Sequence, residues 1–147
     1  MAGGGSMSGT MLTYGAFSDY LEKRLLDHVF GAAAYTRPTA LYVALYTSPS
    51  SDTAPGTEPI QANGYARVVA TFVVAPDQPD GSSAMWNPAV LQFQVASAAW
   101  GVLTHCGIHD ALTGGNLLAS GPLAASKTVD VGDAVRFQAN TLLVGLQ

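Results

Sequence analysis

The sequence predicts a mainly β chain: an antiparallel β-sandwich or barrel with one N-terminal amphipathic helix and a flexible N-terminal arm. Three observations lead there. From residue 41 to residue 146, short apolar runs rich in Val, Leu, Tyr and Phe alternate with turns of Gly, Pro, Asp and Ser, the pattern of all-β sandwiches and barrels. Residues 17–30 carry helical spacing instead. Charged residues make up 11% of the chain and hydrophobic ones 48%, against about 25% charged in an average soluble domain. The folded surface is therefore short of solvating groups, and a partner is expected to cover part of it.

The first ten residues are rich in Gly and Ser and form an arm, residues 1–11, that is flexible in isolation. A neighbouring subunit is a better candidate to hold it than its own domain. One β-rich domain, residues 12–147, follows; this is an ordinary domain length. In the helix 18–30, Tyr20, Leu21, Leu25 and Val29 line one side. Ser18 can cap its start and Gly31 its end. Five of the sixteen charged residues (Asp19, Glu22, Lys23, Arg24 and Asp27) sit here, which gives this element a wet face that much of the remaining chain lacks.

Strands are expected at residues 41–47, 65–74, 90–96, 100–110, 116–120, 134–138 and 141–146. Leu91, Phe93 and Val95 alternate with Gln92 and Gln94, and Val135 and Phe137 with Arg136 and Gln138, so those strands keep one wet face. In 41–47 both faces are apolar: Leu41, Val43 and Leu45 against Tyr42, Ala44 and Tyr46. The helix or another subunit should cover the second face. Residues 48–64 and 76–88 read as long polar loops, a length that usually signals interaction.

Several function classes are excluded at this level. A net charge of −4 without a Lys/Arg cluster argues against nucleic acid and against an acidic membrane surface. Cys106 stands alone, so no intrachain disulfide is expected and folding in a reducing cytoplasm fits. No apolar run reaches the ~18 residues that span a bilayer, and no signal peptide is recognisable. The segment Thr104-His105-Cys106-Gly107-Ile108-His109-Asp110 is the densest cluster of reactive groups. On a strand, His105 and His109 share a face about 13 Å apart and Cys106 points away, so one tetrahedral ion cannot unite them. Cys106 reads as a small buried hydrophobe and His28 as a helix-end residue. Asp52, Glu58, Asp77 and Asp80 lack EF-hand spacing, Thr113-Gly114-Gly115-Asn116 reads as a turn, and no nucleophile elbow, phosphate loop or dinucleotide fingerprint follows a strand. No catalytic residue, metal or cofactor is expected.

What remains is contact. The aromatics Tyr14, Tyr35, Tyr42, Tyr46, Tyr65, Trp86 and Trp100 could stack on sugars, but most read as core or interface, with Trp86 in a Pro-flanked loop as the exposed anchor. The expected interface residues are Met7, Met11, Tyr14, Tyr20, Leu25, Tyr42, Tyr46, Ile60 and Trp86.

The segments SDYLEKRLLDHVFG (18–31), LYVALYTS (41–48), GYARVVATF (64–72) and WGVLTHCGIHDALTGGNLLASGPL (100–123), with the Gly132-Asp133 turn, resemble a family of small phage virion proteins known as tail fibre proteins. Some of its members look like capsid decoration or cement proteins. The resemblance spans residues 12–146 and rests on fold-bearing segments. It implies a non-enzymatic virion structural protein acting as a homotrimer. The chain is short and lacks a shaft repeat, so the expected role is a cement protein clamping the major capsid protein at capsomer junctions. The alternative is a tail fibre, tail-tip or baseplate subunit held by tail proteins; a sugar-binding receptor module is a third reading.

Overall fold

The computed structural model describes residues 5–7 and 17–146. It is mainly β, with one helix near the N-terminus. In chain order the elements are β1 (Gly5–Met7), α1 (Asp19–Phe30), β2 (Leu41–Tyr46), β3 (Val68–Ala70), β4 (Val73–Val74), β5 (Ser83–Trp86), β6 (Leu91–Gln92), β7 (Gly101–His109), β8 (Leu117–Val129), β9 (Val135–Phe137) and β10 (Leu143–Leu146). They form one four-stranded sheet, β3-β2-β7-β8, and two three-stranded sheets, β10-β5-β4 and β1-β9-β6. All the pairings are antiparallel except β1 on β9, which is parallel.

Alternation in β2 sends Val43 and Leu45 inward beside Cys106 and Ile108, their partners on β7. There they join Phe93, Leu103, Val129, Val135, Phe137 and Leu142 in one apolar core. Tyr65 packs flat against Phe93 and edge-on to Trp100, at 6.4 and 5.4 Å between ring centres. Such aromatic pairs add to the stabilisation from area burial alone.

The helix begins one residue after its cap. Ser18 Oγ accepts from the Leu21 amide at 3.1 Å and donates to the Leu117 carbonyl at 2.5 Å, and the Ser18 amide donates to the Leu118 carbonyl at 2.7 Å. One buried hydroxyl therefore both caps α1 and ties it to β8. Ser18→Ala removes both bonds and should cost about 2 kcal/mol, the upper end for cap loss. Urea denaturation checks this, and a change under about 0.5 kcal/mol, the size of an ordinary surface substitution, would refute it. At the other end, a Cβ on Gly31 would lie 2.0 Å from Asp27 Oδ1, the atom that accepts from the Ala32 and Ala33 amides.

Both faces of β2 are buried as expected: Val43, Ala44, Leu45 and Tyr46 are fully enclosed. The cover on the second face, however, is the chain's own loop and not the helix. Gly56 lies against the Tyr46 ring, the Thr47 amide donates to the Thr57 carbonyl, and Ser50 Oγ bonds Ser120 Oγ at 2.7 Å. The helix start meets that loop through the Asp19 amide, which donates to the Asp52 carbonyl at 2.9 Å.

Other expectations need correcting. The expected strand 65–74 breaks at Thr71-Phe72, where the chain leaves β2 for β5. In 90–96 only Leu91–Gln92 forms a strand, and the alternation ends at Val95, which is exposed while Ala96 is buried. The strand expected at 116–120 continues to Val129. Its pairing moves from His105↔Pro122 to Leu103↔Lys127, so residues 123–126 face Thr104 as a wide bulge. Residues 76–88 are not all loop, since β5 occupies their second half. Of the arm, β1 pairs in parallel with the chain's own β9.

Candidate functional site

Of the polar residues weighed for chemistry, Glu58, His109 and Asp110 gather with Tyr46, Tyr65 and Arg67 beside the covered face of the four-stranded sheet, and their geometry is that of a latch. Tyr46, at the end of β2, reaches diagonally across Gly107 to His109. A Cβ on Gly107 would collide with the tyrosine ring, which explains a glycine in mid-strand. The Tyr46 hydroxyl and His109 Nε2 share a hydrogen bond of 2.5 Å. Next to them the Glu58 carboxylate accepts from Arg67 Nε at 3.0 Å, from the second guanidinium nitrogen at 2.8 Å and from the Tyr65 hydroxyl at 2.6 Å. The Tyr65 oxygen in turn accepts from the Leu45 amide. Arg67 also donates to the carbonyls of Ala111 and Gly114, at 2.7 and 2.9 Å. It thereby fastens the β7–β8 turn, which Asp110 closes through two bonds to Asn116.

Electrostatics agree with a structural role. Burial, then the Arg67 charge, lowers the His109 imidazole to about 4, so it is neutral near neutral pH. Burial alone would raise the Glu58 carboxyl, but the hydrogen bonds from Arg67 and Tyr65 outweigh it and hold the group below its ordinary range. Burial raises the Tyr46 and Tyr65 hydroxyls and the fully enclosed Cys106 thiol, which therefore stays protonated. His109 Nδ1 is the one buried side-chain nitrogen or oxygen without a hydrogen-bond partner among the described residues. Outside the latch lies a cleft of about 470 Å³ whose wall includes Glu58, Gln61, Arg67 and Thr113; both Glu58 oxygens are already occupied by the latch. Among the described residues no group of three or more His, Cys, Asp or Glu is placed to hold a metal ion. Asp80 instead closes its own turn onto Ser82.

The expected contact residues scatter. Met7 lies in β1, while Met11 and Tyr14 fall outside the described residues. Tyr20, with the Arg24 guanidinium 5.2 Å above its ring, Leu25 and Tyr42 are half-buried, and Ile60 is exposed. Tyr46 is wholly enclosed and does not reach the surface. Trp86 is half-buried and paired in β5 between Leu143 and Val73, so it is no loop anchor.

Further exposed apolar side chains lie on α1. On α1, Leu26, Val29 and Phe30 are 59%, 65% and 83% exposed and share one side at i, i+3, i+4 spacing. Val29, expected on one side with Tyr20, Leu21 and Leu25, is exposed while those three are half-buried. The signal was present, since Leu26 and Phe30 form a second apolar stripe beside Tyr20, Leu21 and Leu25. The sequence alone could not show that only the first turns of the helix are anchored.

A β-rich chain whose buried polar groups are spent on fastening its own loops has the character of a structural protein. The family model described as Podophage GP4 fiber I protein gp80 matches residues 16–145, and the chain belongs to this family of phage virion fibre-type proteins. No curated protein matches the sequence. Among the described residues no helix is long and apolar enough to cross a membrane.

Proposed function

We propose that the chain is a structural subunit of the fibre apparatus on a podophage tail, working as a homotrimer attached to tail proteins. The family match over residues 16–145 carries this reading. It favours the tail alternative over the cement role expected from length and composition. The exposed apolar stripe on α1 supports assembly, because contiguous apolar surface marks interaction sites. Imaging intact virions at a resolution that assigns density to each chain tests the position. Density at the tail is the expected result; density at capsomer junctions would overturn it in favour of the cement role.

A further inference from the structure

The same helix that presents Phe30 to solvent borders, at its other end, an apolar groove of about 180 Å³. Phe17 and Leu21 form one wall of it, Leu41 and Phe72 another, and Met85 and Val144 of the neighbouring sheet the third. All of its lining residues are apolar, so a polar occupant would lose its hydrogen bonds to water without replacement. The size suits one aromatic ring: an apolar protein cavity of about 150 Å³ takes up benzene.

Among the described residues one aromatic side chain is exposed, and it is Phe30. It cannot fill its own groove, because nine residues of rigid helix set it about 14 Å along the axis from Leu21. We infer that Phe30 of one copy of this chain seats in the groove of the next, with Val29 and Leu26 closing over the rim. Knob and groove are different surfaces, so the contact is head-to-tail and builds a closed ring when the rotation permits. Area favours a ring over a pair. The stripe amounts to a few hundred Å², below the ~800 Å² per partner of a stable interface, but in a ring every copy uses both its knob and its groove. The inference deepens the self-association proposed above and rests on it, though not on the position in the virion.

The test is a mixing experiment read by sedimentation and native mass spectrometry. Phe30→Gln removes the knob at an exposed site, and Met85→Trp fills the groove. Val144→Trp replaces the latter if circular dichroism shows that it does not fold. Wild-type protein should form a closed oligomer at micromolar concentration. Each variant alone should be monomeric, its dissociation constant raised at least about thirtyfold, as for a hot-spot residue. Mixed together at high concentration, the two variants should form a one-to-one dimer and nothing larger, weaker than the wild-type ring because a single knob-in-groove contact holds it. An oligomer that survives Phe30→Gln assigns the stripe to another virion protein, and one that survives only Met85→Trp assigns the groove to another occupant. Either overturns the knob-in-groove contact while leaving self-association standing. A monomeric wild-type protein overturns both.

Discussion

Replacing Arg67 with Met is expected to destabilise the protein by about 3 kcal/mol, the lower end for breaking a buried ion pair, because Glu58 keeps some solvent contact. The side chain is 6% exposed and that of Glu58 24%. Methionine keeps most of the apolar stem but removes four hydrogen bonds, two to Glu58 and two to the carbonyls of Ala111 and Gly114. The loss has two parts. The Glu58 carboxylate is left half-buried without a cation, and the β7–β8 turn loses the donor that holds it against the loop. Once the guanidinium is gone, burial governs Glu58, so its carboxyl should titrate above its ordinary value instead of below it. The double variant Arg67→Met/Glu58→Gln should recover part of the lost stability, since the uncompensated charge goes with the second substitution. Urea denaturation of the three variants with a carbon-detected titration of Glu58 decides the matter. A single variant within 1 kcal/mol of wild type, or a Glu58 that still titrates low, would show that the latch is a surface pair of little consequence.

This latch was only partly legible in the sequence. With six cations in 147 residues, an arginine standing alone before Val68-Val69-Ala70 is a cue to a specific partner. Nothing local says that the partner is Glu58, because the two meet through a loop whose path is set by Gly56 packing on Tyr46. The segment Thr104–Asp110 drew attention for His and Cys chemistry. Strand periodicity correctly set Cys106 on the face opposite the histidines; what it could not show was that Tyr46 would cross Gly107 to meet His109.

Legibility elsewhere followed how local the determinants are. The helix was readable because Ser18 and Gly31 act within a turn of its ends, and β2 because its apolar run is uninterrupted. The break at Thr71-Phe72 and the bulge at residues 123–126 come from strand partners far along the chain, which residue pattern does not report. Trp86 was misplaced for the same reason: flanking proline and glycine masked a strand that exists only through pairing with β4 and β10. The stripe of Leu26, Val29 and Phe30 is the sharpest case. The residues are plain in the sequence, but their exposure follows from α1 being tied to β8 by its first residues alone.

Stability should fall by about 3 kcal/mol as the pH is lowered from 7 to 4, with His109 the main cause. In the fold its imidazole titrates near 4, against an ordinary 6.5. Burial is the larger cause and the Arg67 cation the next, while Glu58 and Asp110 pull the other way. Between these two values the unfolded chain binds a proton that the folded chain refuses. The contribution is therefore complete above pH 6.5 and is lost as pH falls toward 4, at about 1.4 kcal/mol per pH unit. Glu58 and Asp110, both held below their ordinary values of 4.5 and 3.8, act in the same direction. Their stabilisation is present above those values and is lost as pH falls below them, so Glu58 overlaps only the foot of the His109 window and the decline above pH 5 belongs to His109. His109→Gln can keep a hydrogen bond to the Tyr46 hydroxyl and has no proton to gain. Its stability should be nearly flat from pH 7 to pH 5 where that of the wild type already declines, and both should fall together below pH 4. Equal slopes for the two proteins above pH 5 would remove His109 as the cause. Because the Tyr46–His109 bond lies beneath the loop of residues 48–58, the first backbone amides to lose hydrogen-exchange protection on acidification should be those of that loop.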